Sequence, residues 1–238
     1  MFDLVIIIII AYYVYNKIAT QKKVLISIEG NISSGKSSLM HILKSNLIVK
    51  ADYIYEPIDE WHCITDNNGK DILQTFYEDK TRWSYTFQNI AYITRMNHIV
   101  DKIMNSLNKY IIIDRSLQAD LNTFAKMLYI DKCINNIEWQ CYNKWNDFFE
   151  KFYGDKVIHK IIYLRCEPTV ALDRLKIRNR NAENNVSLSY LQSLHEYHDK
   201  WIYDKNAADV LVLDVNEDFI SNHKKANEMI EKILEFIY

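Results

Sequence analysis

The segment Gly30-Asn31-Ile32-Ser33-Ser34-Gly35-Lys36-Ser37 carries the pattern G-x-x-x-x-G-K-[ST] between an apolar run, Val24-Leu25-Ile26-Ser27-Ile28, and a stretch with helical spacing at Leu39, Ile42, Leu43 and Leu47. A strand, a glycine-bearing loop and a helix in that order form the phosphate-binding βα unit, and that unit restricts the chain to parallel-sheet folds. The glycines let the backbone curl so that its N–H groups, backed by the helix N-terminus, point at phosphate oxygens. Lys36 is expected to reach the β- and γ-phosphates and the Ser37 hydroxyl to ligate magnesium, with Ser38 counted among the nucleotide-binding residues. A nucleoside triphosphate is therefore the expected ligand.

The rest of the chain repeats the alternation. Strand-like runs fall at Tyr53-Ile54-Tyr55, Tyr110 to Ile113, Val157 to Leu164 and Val210 to Leu213. Helical patterns cover Thr81 to Leu107, Leu117 to Tyr129, Ile137 to Phe152, Thr169 to Arg178, Leu188 to Tyr203 and Ala226 to Phe236. Short buried strands alternating with helices predict an α/β fold: a five-stranded parallel sheet covered on both faces, with binding groups at the strands' carboxyl ends. Four glycines and two prolines in 238 residues leave little material for linkers, so residues 23–238 read as one domain. Residues 1–22 stand apart as an apolar extension, in which Leu4 to Tyr15 carry no charge and Lys17, Lys22 and Lys23 follow. Twelve residues are too few to span a bilayer, so the readings are an appendage to the domain or, with Ile18 and Ala19 included, a membrane contact that leaves the domain on the cytoplasmic side.

A net charge of −2 gives none of the basic surplus that nucleic-acid binding needs. Cys63, Cys133, Cys141 and Cys166 show no metal-ligand spacing with the histidines, so reduced thiols, a cytoplasmic setting and no zinc are expected.

Two acids follow strand-like runs, Glu56 before Pro57 and Asp114 before Arg115-Ser116, and both should open into the crevice of the phosphate loop. One carboxylate there can accept a proton from a hydroxyl as phosphoryl transfer proceeds, and the other can hold the metal. Arg115 would bring a delocalised charge to the transferred group.

With these phrases in view the chain resembles the deoxynucleoside kinase family, nearer the deoxycytidine and deoxyguanosine kinases than the thymidine-preferring members. The resemblance runs from Val24 to about Ile237. It rests on Ile28-Glu29-Gly30-Asn31-Ile32, Glu56-Pro57-Ile58-Asp59-Glu60-Trp61, Arg82 to Gln88, Asp114-Arg115-Ser116, the arginines 174, 178 and 180, and Leu213 to Phe219. It implies a P-loop kinase fold in which ATP with Mg2+ phosphorylates the 5′-hydroxyl of a deoxyribonucleoside, and, by analogy, a homodimer. Carried over, it makes Glu56 the proton acceptor and Asp114 the magnesium support; the family usually has glutamate at the latter place, so the shorter acid is expected to act through water. Arg115 would touch the 5′ end of the sugar, and Tyr77 and Glu183 the 3′-hydroxyl. Gln88 offers a donor and an acceptor side by side to a base edge. Trp61 and Phe124 match walls of the nucleoside pocket. Arg174, Arg178 and Arg180 match a lid over the ATP phosphates, and Glu217, Asp218 and Phe219 lie by the adenine. Base choice would rest on Ala91, Arg95 and Asp120, a set that favours deoxycytidine and purine deoxynucleosides and crowds the methyl group of thymine.

Two other readings use the same motifs: a deoxynucleoside monophosphate kinase, and a nucleotide-dependent interaction protein tethered through residues 1–20. The first needs extra cations for the acceptor's phosphate, and no arginine precedes Glu56-Pro57. The second leaves the acid and sugar positions unexplained.

Overall fold

The computed structural model describes residues 22–45, 48–180, 183, 186–203 and 209–238. Residues 1–21 of the apolar extension, and Leu47 at the end of the first expected helix, lie outside that set. Five strands form one parallel sheet: β1 (Lys23–Gly30), β2 (Ala51–Ile54), β3 (Tyr110–Asp114), β4 (Val157–Arg165) and β5 (Asp209–Asp214), in the order β2-β3-β1-β4-β5. Ile26, Ile28, Ile112, Ile113, Ile162 and Leu164 are fully buried, as β-branched and apolar side chains must be in strands covered on both faces. The α/β reading of the sequence is therefore correct.

The flanking helices are α1 (Lys36–Ser45), α2 (Ile58–His62), α3 (Ile72–Glu78), α4 (Lys80–Asn105), α5 (Leu117–Ala119), α6 (Lys126–Ile130), α7 (Asn136–Tyr153), α8 (Pro168–Arg178), α9 (Leu188–Ile202) and α10 (His223–Ile237). Local chemistry sets several of their starts. The Asp79 side chain accepts from the Arg82 N–H at the head of α4, and Asn135 and Glu138 form a reciprocal capping box on α7. On α4 the residues Ser84, Phe87, Gln88, Ala91 and Arg95 recur every three or four places and are buried, so one face of this long helix carries polar groups into the interior.

The structure departs from the sequence reading in three places. Strand β2 covers Ala51–Ile54, not Tyr53 to Tyr55: pairing with β3 stops at Ile54 opposite Ile113, and Tyr55 and Glu56 leave the sheet toward the crevice. The expected helix from Leu117 to Tyr129 is interrupted by a π turn over Asp120–Ala125. Helices α2 and α3 were not anticipated, being too short for apolar periodicity to register. Among the described residues no helix is long and apolar enough to cross a membrane.

Candidate active site

The strand order reverses at β1 and β3: the connection from β1 runs toward β2, and the one from β3 crosses back toward β4. Loops diverging from adjacent strands leave a crevice at their carboxyl ends. Two clefts occupy it. One, where the sequence expectations put the acceptor, runs from the phosphate loop to α4 and α9; the other and larger, where they put the phosphate donor, lies between that loop, α8 and the segment after β5.

The phosphate loop depends on two glycines. Gly30 has φ +146° and Gly35 φ +98°, and a Cβ would meet the Leu164 carbonyl oxygen at 2.6 Å in the first and the Phe219 ring at 2.9 Å in the second. The Lys36 ammonium donates to the carbonyls of Gly30 (3.2 Å) and Asn31 (3.0 Å). Burial pulls its pKa down to about 8, helped by Arg115 and opposed by Asp114 and Glu56. The Asn31 side chain is tied into the fold, its amide donating to the Leu191 carbonyl and its Oδ1 accepting from the Ile32 N–H. Ser33, Gly35, Lys36, Ser37 and Ser38 all line the larger cleft.

Ser37 Oγ donates to Asp114 Oδ2 at 2.8 Å, while Asp114 Oδ1 is buried with no partner among the described residues. A hydroxyl and a carboxylate oxygen side by side are the hard donors that suit magnesium, which keeps waters and is held by few protein groups.

Glu56, 21% exposed, is the hub of the acceptor side. Its Oε1 accepts from Arg115 Nη1 (2.9 Å) and Arg95 Nη2 (3.1 Å). Burial pushes its pKa up, but Arg115 and Arg95, with Lys36 and Arg178 behind them, reverse this and leave it below the ordinary carboxylate value. Arg95 also donates to Asp120 in a pair whose side chains are 2% and 4% exposed. Burial raises the Asp120 pKa against the pull of Arg95 and Arg115. Arg115 sits at φ +72°, a strained conformation for a side-chain-bearing residue. Its guanidinium lies 4.3 Å from the Phe124 ring centroid and also donates to the Gly30 carbonyl. The strained turn is held by the fully buried Glu29, whose Oε1 accepts from the Ser116 N–H at 2.9 Å.

Helix α4 lines the acceptor cleft through Phe87, Gln88, Ala91 and Arg95. Gln88 is 2% exposed and its Oε1 has no partner among the described residues. Trp61 donates through Nε1 to Thr94 Oγ1 and meets Phe87 edge to face; with Ala91 and Phe124 it completes the apolar walls. Tyr77 and Glu183 line the same cleft. Glu183 accepts from Arg178 and lies 3.7 Å from Arg180. Arg174 turns instead to the carbonyls of Asn216 and Glu217. All three arginines line the donor cleft with Asp218 and Phe219. The Glu217 side chain is not in that wall and pairs with Lys225 at 3.1 Å.

Sequence reasoning missed the second arginine on Glu56, since nothing in the spacing places Arg95 beside residue 56. Tyr190, which lines the cleft from α9, and Glu29 were also unassigned. The first has no motif, and the second was visible only as part of the phrase preceding the phosphate loop.

A model of the deoxynucleoside kinase family matches residues 26–238. The chain is 34% identical to deoxycytidine kinase 1 of Xenopus laevis, covering 89% of each chain. It is 33% identical to deoxycytidine kinase of Homo sapiens, covering 89% of this chain and 90% of the human one. To the mitochondrial deoxyguanosine kinase of Xenopus laevis it is 31% identical, with 89% of each chain covered.

Proposed function

The chain belongs to the deoxynucleoside kinase family and is an ATP-dependent deoxynucleoside kinase, and from that premise we propose that it phosphorylates the 5′-hydroxyl of deoxycytidine in preference to other deoxynucleosides, with purine deoxynucleosides as secondary acceptors. The observation that carries this reading is the buried Arg95–Asp120 pair in the wall of the same cleft as the unpartnered Gln88 Oε1. A charged pair and an unpartnered amide oxygen in one lining give the cleft donors and acceptors for an amino-bearing base edge. Thymine would leave those groups unpaired and press its methyl group against them. Arg95 and Arg115 are both engaged by carboxylates, so neither is free to meet the phosphate of an acceptor that already carries one, which favours a nucleoside over its monophosphate.

In this reading Glu56 accepts the 5′-hydroxyl proton as the hydroxyl oxygen bonds to the γ-phosphorus and the bond to the leaving ADP oxygen breaks. A carboxylate of depressed pKa is a weak base, so proton transfer comes late, once the hydroxyl has become acidic through bonding to phosphorus. Lys36 and Arg115 stabilise charge on the transferred group, and Arg174, Arg178 and Arg180 form the lid on the donor side. Ser37 Oγ and Asp114 would hold magnesium, which would supply charge neutralisation on the triphosphate. Tyr77 and Glu183 bond the sugar's 3′-hydroxyl. A homodimer is supported by an apolar strip on α4 and α7, with Ile93, Phe148 and Phe152 exposed, and is checked by sedimentation.

The test of the whole reading is kcat/KM for each natural deoxynucleoside with ATP, with and without magnesium. Highest efficiency on deoxycytidine is expected; highest efficiency on thymidine would refute the base assignment, and full activity in chelator would refute the metal.

A further inference from the structure

Lys80 is the first residue of α4 and follows α3, which carries Tyr77, by a single intervening residue. Its ammonium lies 5.6 Å from the Tyr77 ring centroid and 5.0 Å from that of Tyr190 on α9. The two rings meet edge to face, 6.4 Å apart at 82°. Two adjacent elements and one about a hundred residues further along the chain thus converge on one cation. Lys80 is half-buried and makes no ion pair among the described residues; burial draws its pKa below the ordinary lysine range. An ammonium over a ring face is attracted by the ring's quadrupole, and partial desolvation strengthens that attraction. Both tyrosines line the acceptor cleft, and burial first of all keeps each phenol protonated, so Tyr77 is a hydrogen-bond donor throughout the working range.

We propose that Lys80 is a positioning residue for acceptor binding: its ammonium pins the Tyr77 and Tyr190 rings together as the wall that meets the sugar's 3′ edge, and so sets how much the 3′-hydroxyl contributes to recognition. This rests on the reading that Tyr77 bonds the 3′-hydroxyl. Without the cation the two half-buried rings in the cleft wall lose their common anchor, and the Tyr77 hydroxyl pays orientational entropy each time a nucleoside binds. Chemistry at the 5′ end and the donor cleft are untouched, because Lys80 lines neither the phosphate loop nor the wall formed by α8.

The experiment measures kcat and KM for the best natural deoxynucleoside and for its 3′-deoxy counterpart in wild type, Lys80→Met, Lys80→Arg and Tyr77→Phe. In Lys80→Met, KM for the natural acceptor should rise about five- to thirtyfold, the size expected for two partly buried cation–ring contacts. The rise should fall to within about twofold on the 3′-deoxy acceptor, KM for ATP should hold, and Lys80→Arg should restore the wild-type values. An equal penalty on both acceptors, or a matching rise in KM for ATP, would mean that Lys80 merely supports the fold, and the proposal would be overturned. If Tyr77→Phe discriminates between the acceptors while Lys80→Met does not, the proposal fails and the reading of Tyr77 stands. If Tyr77→Phe does not discriminate, that reading fails and takes the proposal with it.

Discussion

Arg115 donates to Glu56 across 2.9 Å, so the carboxylate assigned to take the substrate's proton is bound to a cation that lowers its basicity. The contact fixes the carboxylate's direction and its ionisation together, at the cost of driving force for proton transfer.

Replacing Glu56 with Gln should therefore keep the shape of the site and abolish proton acceptance. Turnover is expected to fall by about 10²-fold or more with nucleoside KM little changed. Steady-state kinetics on the purified variant decide it, and wild-type kcat would remove Glu56 from the chemistry.

The same contact predicts a pH profile. With its pKa below the ordinary carboxylate value, Glu56 stays ionised through the neutral and mildly acidic range, so kcat/KM should show no acid limb from this group above about pH 4.5. Its contribution to stability carries the matching sign: present in full above the unfolded-state pKa and lost as pH falls through the lower folded value. A limb near pH 6 that vanishes in Glu56→Gln would show the opposite shift.

Lys36→Ala should raise KM for ATP and lower kcat together, since the phosphates lose a cation both before and during transfer. Unchanged kinetics would dismantle the assignment of the loop from Gly30 to Ser37.

Arg95→Met combined with Asp120→Ala should raise thymidine use relative to deoxycytidine, because removing both charges takes away the polar edge without stranding either group. Arg95→Met alone strands the buried Asp120 and should cost about 3–5 kcal/mol of stability, whereas Asp120→Ala leaves Arg95 paired with Glu56 and should cost less. Denaturant melts and kcat/KM for the two nucleosides in all four proteins test this. An unchanged ratio in the double variant would move base choice to Gln88, Trp61 and Phe124.

Much of this architecture is legible in the chain because strong local signals coincide with the sheet. The buried strands are apolar runs, the phosphate loop has a fixed spacing, and Glu56 and Asp114 stand where strands end. What the sequence hides arises from convergence. Arg95 reaches Glu56 because α4 lies along the acceptor cleft, and no spacing rule joins residues 39 places apart. The π turn at Asp120–Ala125 is equally silent, since a single wider turn inside a helix leaves the apolar pattern almost unchanged. Helices α2 and α3 follow from the N-cap at Asp71 and from packing of Trp61 and Phe76, effects that a periodicity window of three turns passes over.

Ser33, Lys36, Ser37, Arg178 and Arg180 belong to the walls of both clefts. Each ligand therefore changes the electrostatic surroundings of the other, and the two binding free energies cannot be independent. Thermodynamic linkage then demands reciprocity: whatever factor bound ATP applies to nucleoside affinity, bound nucleoside must apply to ATP affinity. An enzyme built on shared walls meets its two substrates as a thermodynamic pair, and a mutation in the common wall shifts the two titrations jointly.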